Sequence, residues 1–350
     1  MKKTKNSIKE FFLNRKKSYN ELLITTFLIG VLLIVSTYAW FSASLNVKID
    51  FLNLIVVNEN GLSISFDAIN YTNSVKISEE SLITDLFKTY PKHTNQWVSR
   101  GLLPVSSNGI PDKNSDKFRM FGNSKVGYIS TDEKDRKTLN TELIDETLAN
   151  NKSPYIAFDI FLRNITGSPY PDNLYLDKGT SVFFAQKTGT DFDGTINSLR
   201  FGFLKIGSVP TKYNVEATQN LKCNNNCEMA IYEPNSRLHS EQSIYRAKKY
   251  GVNLINGRFS PTYAIINNGK GLPIGSGLSG VDLPINPDYF AVQSTYIDFD
   301  RPLFKLPNGV TKFRIYVWIE GQDIDSLETI SRGAAVSIII NFIKDQAGYN

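Results

Sequence analysis

Residues 311–320 read Thr-Lys-Phe-Arg-Ile-Tyr-Val-Trp-Ile-Glu, and residues 334–343 read Ala-Ala-Val-Ser-Ile-Ile-Ile-Asn-Phe-Ile. Both are rich in β-branched and aromatic side chains, which suit a pleated surface. The first alternates Phe313, Ile315, Val317 and Ile319 with Lys312, Arg314, Tyr316 and Trp318, the period-2 signature of a strand. With Trp318 on the face opposite Ile315, Val317 and Ile319, one of those faces points outward or is covered by a neighbour.

The same period spreads upstream. Residues 154–166 set Ile156, Phe158, Ile160 and Leu162 against Asp159 and Arg163. Shorter strands are expected at 118–121, 126–129, 181–186, 198–206, 228–232 and 262–266, separated by Gly, Pro, Asn and Asp turns such as Asp193-Gly194. Residues 45–57 place Val47, Ile49 and Phe51 on one side, and Leu62, Ile64 and Phe66 alternate after the turn cluster Asn58-Glu59-Asn60-Gly61, so this pair reads as a hairpin. Helical spacing occurs at 78–90, 141–149 and 240–250, with a helical turn near 324–330. Strands dominate, helices are inserted singly, and no regular βα alternation occurs. The expected fold is all-β: a β-sandwich or jelly-roll-like extracellular domain over residues 42–350 with a few inserted helices.

Composition supports a folded chain. Of 350 residues, 41% are hydrophobic and only 21% charged, which argues against wholesale disorder. Two His and two Cys are too few for a His-rich or Cys-rich metal site. Residues 1–21 carry Lys2, Lys3, Lys5, Lys9, Arg15, Lys16 and Lys17 against Glu10 and Glu21, which accounts for the whole formal charge of +5. The remainder is neutral, so no nucleic-acid partner is expected.

That basic segment precedes residues 22–41, LLITTFLIGVLLIVSTYAWF, twenty positions without a charge. As a helix they span about 30 Å, the thickness of a bilayer's hydrocarbon core. Basic residues stay cytoplasmic, which leaves residues 42–350 outside. Leu22, Phe27 and Leu32 lie along the expected anchor, with Trp40 and Phe41 at the outer interface. The same region reads alternatively as a signal peptide cleaved near Thr37-Tyr38-Ala39 or Ser42-Ala43-Ser44. Localisation is then a bacterial membrane with the C-terminal domain outside, or secretion. A rival is a type IV pilin-like subunit, which Glu21-Leu22-Leu23-Ile24 resembles. Lys17-Ser18-Tyr19-Asn20 stands where that family has its Gly-Phe processing site, and a pilin helix would continue well past residue 50.

Few residues suggest chemistry. Cys223 and Cys227 bracket three residues and, outside the membrane, read as a local disulfide, with free thiols and a half metal site as alternatives. His93 and His239 fall in polar segments and read as surface histidines; Ser236 and Ser240 beside His239 lack the G-x-S-x-G elbow of a hydrolase. Asp191 and Asp193 before Gly194 are candidate calcium ligands without the rest of an EF-hand, and a turn explains them equally. Asp298 and Asp300 offer the paired carboxylates a glycoside hydrolase needs. Trp97 and Trp318 offer a sugar-stacking platform or, alternatively, core packing. No cofactor is expected.

Three stretches together resemble uncharacterised exported surface proteins of the Firmicutes type: the run Ser36-Thr37-Tyr38-Ala39-Trp40-Phe41 leading into GLSIS at 61–65, PYIAFDIFLRN at 154–164 with NLYLDKGTSV at 173–182, and VWIEGQDID at 317–325. These are distantly similar to the TasA and camelysin type of biofilm-matrix protein. The resemblance implies a hydrophobic N-terminal signal running directly into the first strand of a jelly-roll-like domain, in proteins that can assemble into fibres. It implies no catalytic residue. Val47, Ile49 and Phe51 then mark a candidate donor strand, one that could complete the sheet of a neighbouring copy. The sequence points to a membrane-anchored or exported surface protein of structural or adhesive role, without catalytic activity, whose partners are the membrane and copies of itself or other surface proteins. The alternative is an extracellular carbohydrate-binding protein or hydrolase.

Overall fold

The computed structural model describes residues 24–29, 47–57, 61–98, 101–111, 118–123, 129–130, 137–138, 140–144, 153–186, 193–223, 227–235, 238–239, 241–250, 283–284, 296–321, 323, 325–326 and 335–345. The chain divides into two units, Met1–Leu45 and Asn46–Asn350. In the first, residues 24–29 form a helix, α1, whose Phe27 is exposed. No helix among the described residues is long and apolar enough to cross a membrane. Leu22, Leu32, Trp40 and Phe41 of the expected anchor lie outside the described residues, as does the strand expected at 262–266.

The second unit is all-β. Its strands are β1 (Lys48–Val56), β2 (Leu62–Ser65), β3 (Ser74–Ile77), β4 (Pro104–Pro111), β5 (Phe118–Asn123), β6 (Ile129–Ser130), β7 (Lys137–Thr138), β8 (Asn140–Ile144), β9 (Ile156–Asn164), β10 (Asp172–Leu176), β11 (Ser181–Gln186), β12 (Leu199–Val209), β13 (Glu228–Tyr232), β14 (Leu283–Pro284), β15 (Tyr296–Ile297), β16 (Phe304–Leu306), β17 (Gly309–Glu320) and β18 (Ala335–Asp345). Short α-helices lie at α2 (Asp193–Asn197) and α3 (Val215–Gln219), and a longer one at α4 (Glu241–Tyr250). The helical spacing at 78–90 folds as a π turn followed by a 3-10 turn, with Leu82, Leu86 and Tyr90 buried.

Two sheets carry the unit. The smaller runs β16-β10-β18-β1-β3, with β11 also on β18. The larger runs β14-β8-β5-β4-β17-β12-β13-β15, with β9 on β17 and β2 on β9. They share one apolar core, to which β1 and β18 contribute Leu52, Leu54, Ile338 and Ile340, and β9, β12 and β17 contribute Phe158, Ile160, Phe201, Phe203, Ile315 and Val317. Rings meet between the sheets, Phe203 with Phe342 at 6.1 Å and Phe304 with Phe313 at 5.3 Å. Two sheets facing each other across a common core fit a sandwich.

β17 explains itself in this setting. All twelve of its residues are buried, because its second face is covered too. Tyr316 and Trp318 pack there against Phe118, Met120 and Phe121 of β5. A strand buried on both faces can carry alternation that separates two environments rather than core from solvent.

Several expectations are corrected. β1 and β2 are not a hairpin, since they pair in different sheets. Instead β1 runs parallel to β18, from Lys48 opposite Ala335 to Val56 opposite Phe342, with β3 antiparallel on its other edge. A bulge between Ile49 and Phe51 makes Asp50 the extra residue. It reverses the faces, so Leu52, Leu54 and Val56 are buried while Phe51 leaves the side of Val47 and Ile49. Residues 140–144 form β8, paired with β5, not the start of a helix. Asp193-Gly194 opens α2 rather than making a hairpin turn. A strand at 48–56 also excludes a helix continuing unbroken from residue 22 past 50, which a pilin-like subunit would need.

Candidate functional site

The larger sheet buries two clusters of charge. The first grows from the covered faces of β9 and β17. Asp159 is fully buried, and accepts hydrogen bonds from Arg314 Nε at 2.7 Å, Arg314 Nη2 at 3.2 Å and the Tyr90 hydroxyl at 3.0 Å. Lys312 Nζ lies 3.3 Å from the same carboxylate and donates to the carbonyl of Gln219 at 2.6 Å. Asn95 Oδ1 takes the Asp159 amide at 2.9 Å. Burial alone would raise the Asp159 carboxyl, but the Arg314 guanidinium and the Lys312 ammonium outweigh it and hold the group below its ordinary value. Burial, with the Asp159 charge beside it, pushes the Tyr90 hydroxyl well up. The group is a closed ion network tying the segment before β4 to both strands.

The second cluster sits where β12, β13 and β17 end together. Arg200, the second residue of β12 and opposite Trp318 in register, is fully buried. Its Nη2 contacts Asp323 and, at 3.2 Å, Glu233; its Nη1 donates to the carbonyls of Asn197 at 3.0 Å and Leu199 at 3.1 Å. Asp323 Oδ1 accepts from the Asp325 amide at 2.7 Å, and Asp325 Oδ2 takes His239 Nδ1 at 2.8 Å. Glu320 accepts from the Trp318 indole at 3.1 Å. The Asp325 hydrogen bond raises the His239 pKa against the opposing effect of burial, and the charges of Asp325, Asp323 and Glu233 add to it. Burial pushes the Asp323 carboxyl up, the Arg200 guanidinium pulls it down, and Asp325 pushes it up again.

This second cluster has the parts of a base. A carboxylate on Nδ1 fixes the imidazole and leaves Nε2 as the working atom. His239 Nε2 is buried and makes no hydrogen bond among the described residues. Ser236 and Ser240 lie outside them. Among the described residues no group of three or more His, Cys, Asp and Glu side chains could hold a metal ion; Arg200 occupies the cationic position among the carboxylates.

The residues singled out from the sequence fall elsewhere. Cys223 and Cys227 are joined as a disulfide, Cα atoms 5.3 Å apart, beside Leu221 and Met229 under the covered face. Asp191 lies outside the described residues and Asp193 begins α2. Asp298 and Asp300 occupy a turn, where Asp298 Oδ1 caps the Asp300 amide at 2.9 Å, so they do not share a strand face. Trp97 and Trp318 are both buried and offer no sugar platform. Neither histidine is a surface group: His239 has a side chain only 4% exposed, and His93 is buried against the rings of Phe87 and Tyr90 at 4.7 and 5.9 Å, where burial lowers its pKa despite the Asp159 charge. Val47 and Ile49 are buried and Phe51 is half-buried.

The charge clusters were not read from the sequence, which set Asp159 and Arg163 on a polar face. Their signal was present as lone charges inside strongly apolar runs. Asp159 within Ile156–Leu162 is opposite in sign to Lys312 and Arg314 within 310–319, and buried charges are almost always paired. No family model, curated protein or solved structure gives a match to this chain.

Proposed function

We propose that the chain is a surface-displayed structural or adhesive protein without catalytic activity, held at a bacterial membrane by an apolar helix over residues 22–41 or released by cleavage there, with a jelly-roll-like sandwich outside. The observation that carries this reading is the placement of β1. It starts at Lys48, shortly after Phe41, and enters the middle of the smaller sheet with β18 on one edge and β3 on the other. A tether on its N-terminal side therefore pulls on a strand bonded to β18 along its length and to β3 over Leu52–Ile55, not on a frayed end. The same position suits assembly: a copy whose β1 leaves the sheet exposes the edges of β18 and β3, and another copy's β1 can replace it. The pairing of Arg314 and Lys312 with Asp159, and of Arg200 with Asp323 and Glu233, supports a structural role for those charges.

The test is N-terminal sequencing of the native protein by cell fraction, followed by electron microscopy. A chain retaining residues 22–41 in the membrane fraction supports anchored display. A chain beginning near Trp40 or Leu45 in the medium, forming filaments, supports a released subunit. An intact chain confined to the soluble cytoplasmic fraction overturns both forms.

A further inference from the structure

Three side chains from three strands meet out of water where the two sheets end. Asn164 closes β9, Asp172 opens β10, and Lys344 is the penultimate residue of β18. The side chains of Lys344 and Asp172 are each 1% exposed, and Asn164 is fully buried. Lys344 Nζ donates to Asn164 Oδ1 at 2.8 Å and to Asp172 Oδ2 at 3.2 Å. Asn164 Nδ2 donates to that same carboxylate oxygen at 3.0 Å and to the carbonyl of Leu306 at 3.2 Å. The Leu306 carbonyl only accepts, so it fixes which end of the amide is nitrogen. One carboxylate oxygen thus bridges an amine and an amide nitrogen, while the amine touches the oxygen bonded to the amide carbon. The second oxygen, Asp172 Oδ1, is buried and takes no hydrogen bond among the described residues.

We propose that Lys344 and Asn164 condense into an intramolecular isopeptide bond, with Asp172 carrying the proton. Asp172 takes a proton from Lys344, which turns a buried ion pair into a neutral amine and acid that are easier to keep dry. The Nζ lone pair attacks Asn164 Cγ, and a Cγ–Nζ bond forms. Asp172 hands the proton to Asn164 Nδ2 and takes the second proton from the now cationic Nζ, the Cγ–Nδ2 bond breaks, and ammonia leaves, with Asp172 ending as the neutral acid. Nothing is oxidised or reduced, and no co-reactant is needed: an amine and a primary amide give a secondary amide and ammonia. A salt bridge alone would need only Lys344 and Asp172. The amide carbon beside the amine, and the amide nitrogen on the same carboxylate oxygen, are the additional requirements of condensation. Holding the reacting groups in contact removes the entropy cost of bringing them together, and the dry surroundings suppress competing hydrolysis.

The bond would join β9 of the larger sheet to β18 of the smaller and close a loop between positions 180 apart. It rests on this triad alone and stands whether or not the chain is displayed at a surface, although a load-bearing domain would gain most from it.

The test is mass spectrometry of tryptic peptides from the purified full chain, denatured and reduced. The expected result is one branched species joining the peptide that carries Asn164 to the one that carries Lys344, lighter than their sum by one ammonia. Lys344→Arg and Asn164→Ala should each abolish it. Asp172→Asn keeps both bonding residues and the local shape, and should abolish it too while the circular dichroism spectrum stays that of the wild type. Two separate peptides of full mass from the wild-type protein overturn the bond. A branched species that persists in Asp172→Asn overturns the role of Asp172.

Discussion

Phe51 meets Phe183 edge-on, ring centroids 6.2 Å apart, both rings flanking the small side chain of Ser337 to which each is opposite in register. Lys76 lies over the Phe51 ring at 4.9 Å. This contact exists only because the bulge at Asp50 turns Phe51 to the outer face of the smaller sheet and gives Leu52 the core position. Leu52→Ala should therefore cost about 2–5 kcal/mol, as a fully buried leucine does. Phe51→Ala should cost only about 1 kcal/mol, the worth of an aromatic pair at a half-exposed site. Urea denaturation of the two variants checks the order. Strict alternation from Val47 through Phe51, without the bulge, would give the reverse.

Asp159 stands between two cations. Asp159→Ala leaves Arg314 and Lys312 buried without their carboxylate, and such a loss costs about 3–5 kcal/mol. The exposed counterpart is Lys205 with Glu228, 2.6 Å apart but with the glutamate side chain 53% exposed. Lys205→Ala should cost less than about 1 kcal/mol. Thermal unfolding of both variants at one ionic strength provides the comparison, and only the Lys205 effect should fade further as salt is added.

The His239–Asp325 pair makes stability depend on pH. The folded imidazole holds its proton more tightly than the unfolded one, whose pKa is about 6.5. Its contribution is present in full below that value and is lost as pH rises through the raised folded pKa. His93 has the opposite sign, because burial lowers its pKa and acid must charge it. Comparing wild type with His239→Gln isolates the first group. The urea-midpoint difference between them should be largest near pH 6 and shrink as pH rises; a difference that does not change with pH would remove the pair from the stability balance.

The all-β class was legible because Phe313 to Ile319 and Ile156 to Leu162 keep a strict period of two through long apolar runs. The pairing was not. Nothing in residues 45–57 says that β1 joins β18, nearly three hundred positions away, rather than β2 a turn later, since register is decided by tertiary contacts and not by the strand itself. The bulge was hidden because Asp50 looks like an ordinary outward residue. The burial of Trp318 was hidden because β5 covers a sheet face that alternation alone would leave to solvent, and that of His93 and Trp97 because nothing in the polar stretch around them signals how the 78–98 segment packs. Lys344, Asn164 and Asp172 each look like a strand-end polar residue, and only the three-dimensional fold brings them together.

Gly202 tests that covered face directly. It lies on β12 opposite Tyr316, and a Cβ there would overlap the Phe118 ring and stand 3.1 Å from Trp318 Cζ3. Phe118 cannot easily give way. Its ring is perpendicular to Tyr316 with centroids 4.4 Å apart, it meets Trp318 at 5.8 Å, and its amide donates to the Tyr316 hydroxyl at 3.2 Å. Gly202→Ala should therefore destabilise by about 1–3 kcal/mol, the usual cost of overpacking. Phe118→Leu should also destabilise by leaving unfilled space. In the double variant the smaller side chain makes room for the new methyl, so the two effects should sum to more than the measured loss by at least about 0.5 kcal/mol. Strict additivity in that cycle, measured by urea denaturation, would mean that Phe118 does not pack on Gly202 and that β5 does not cover β12.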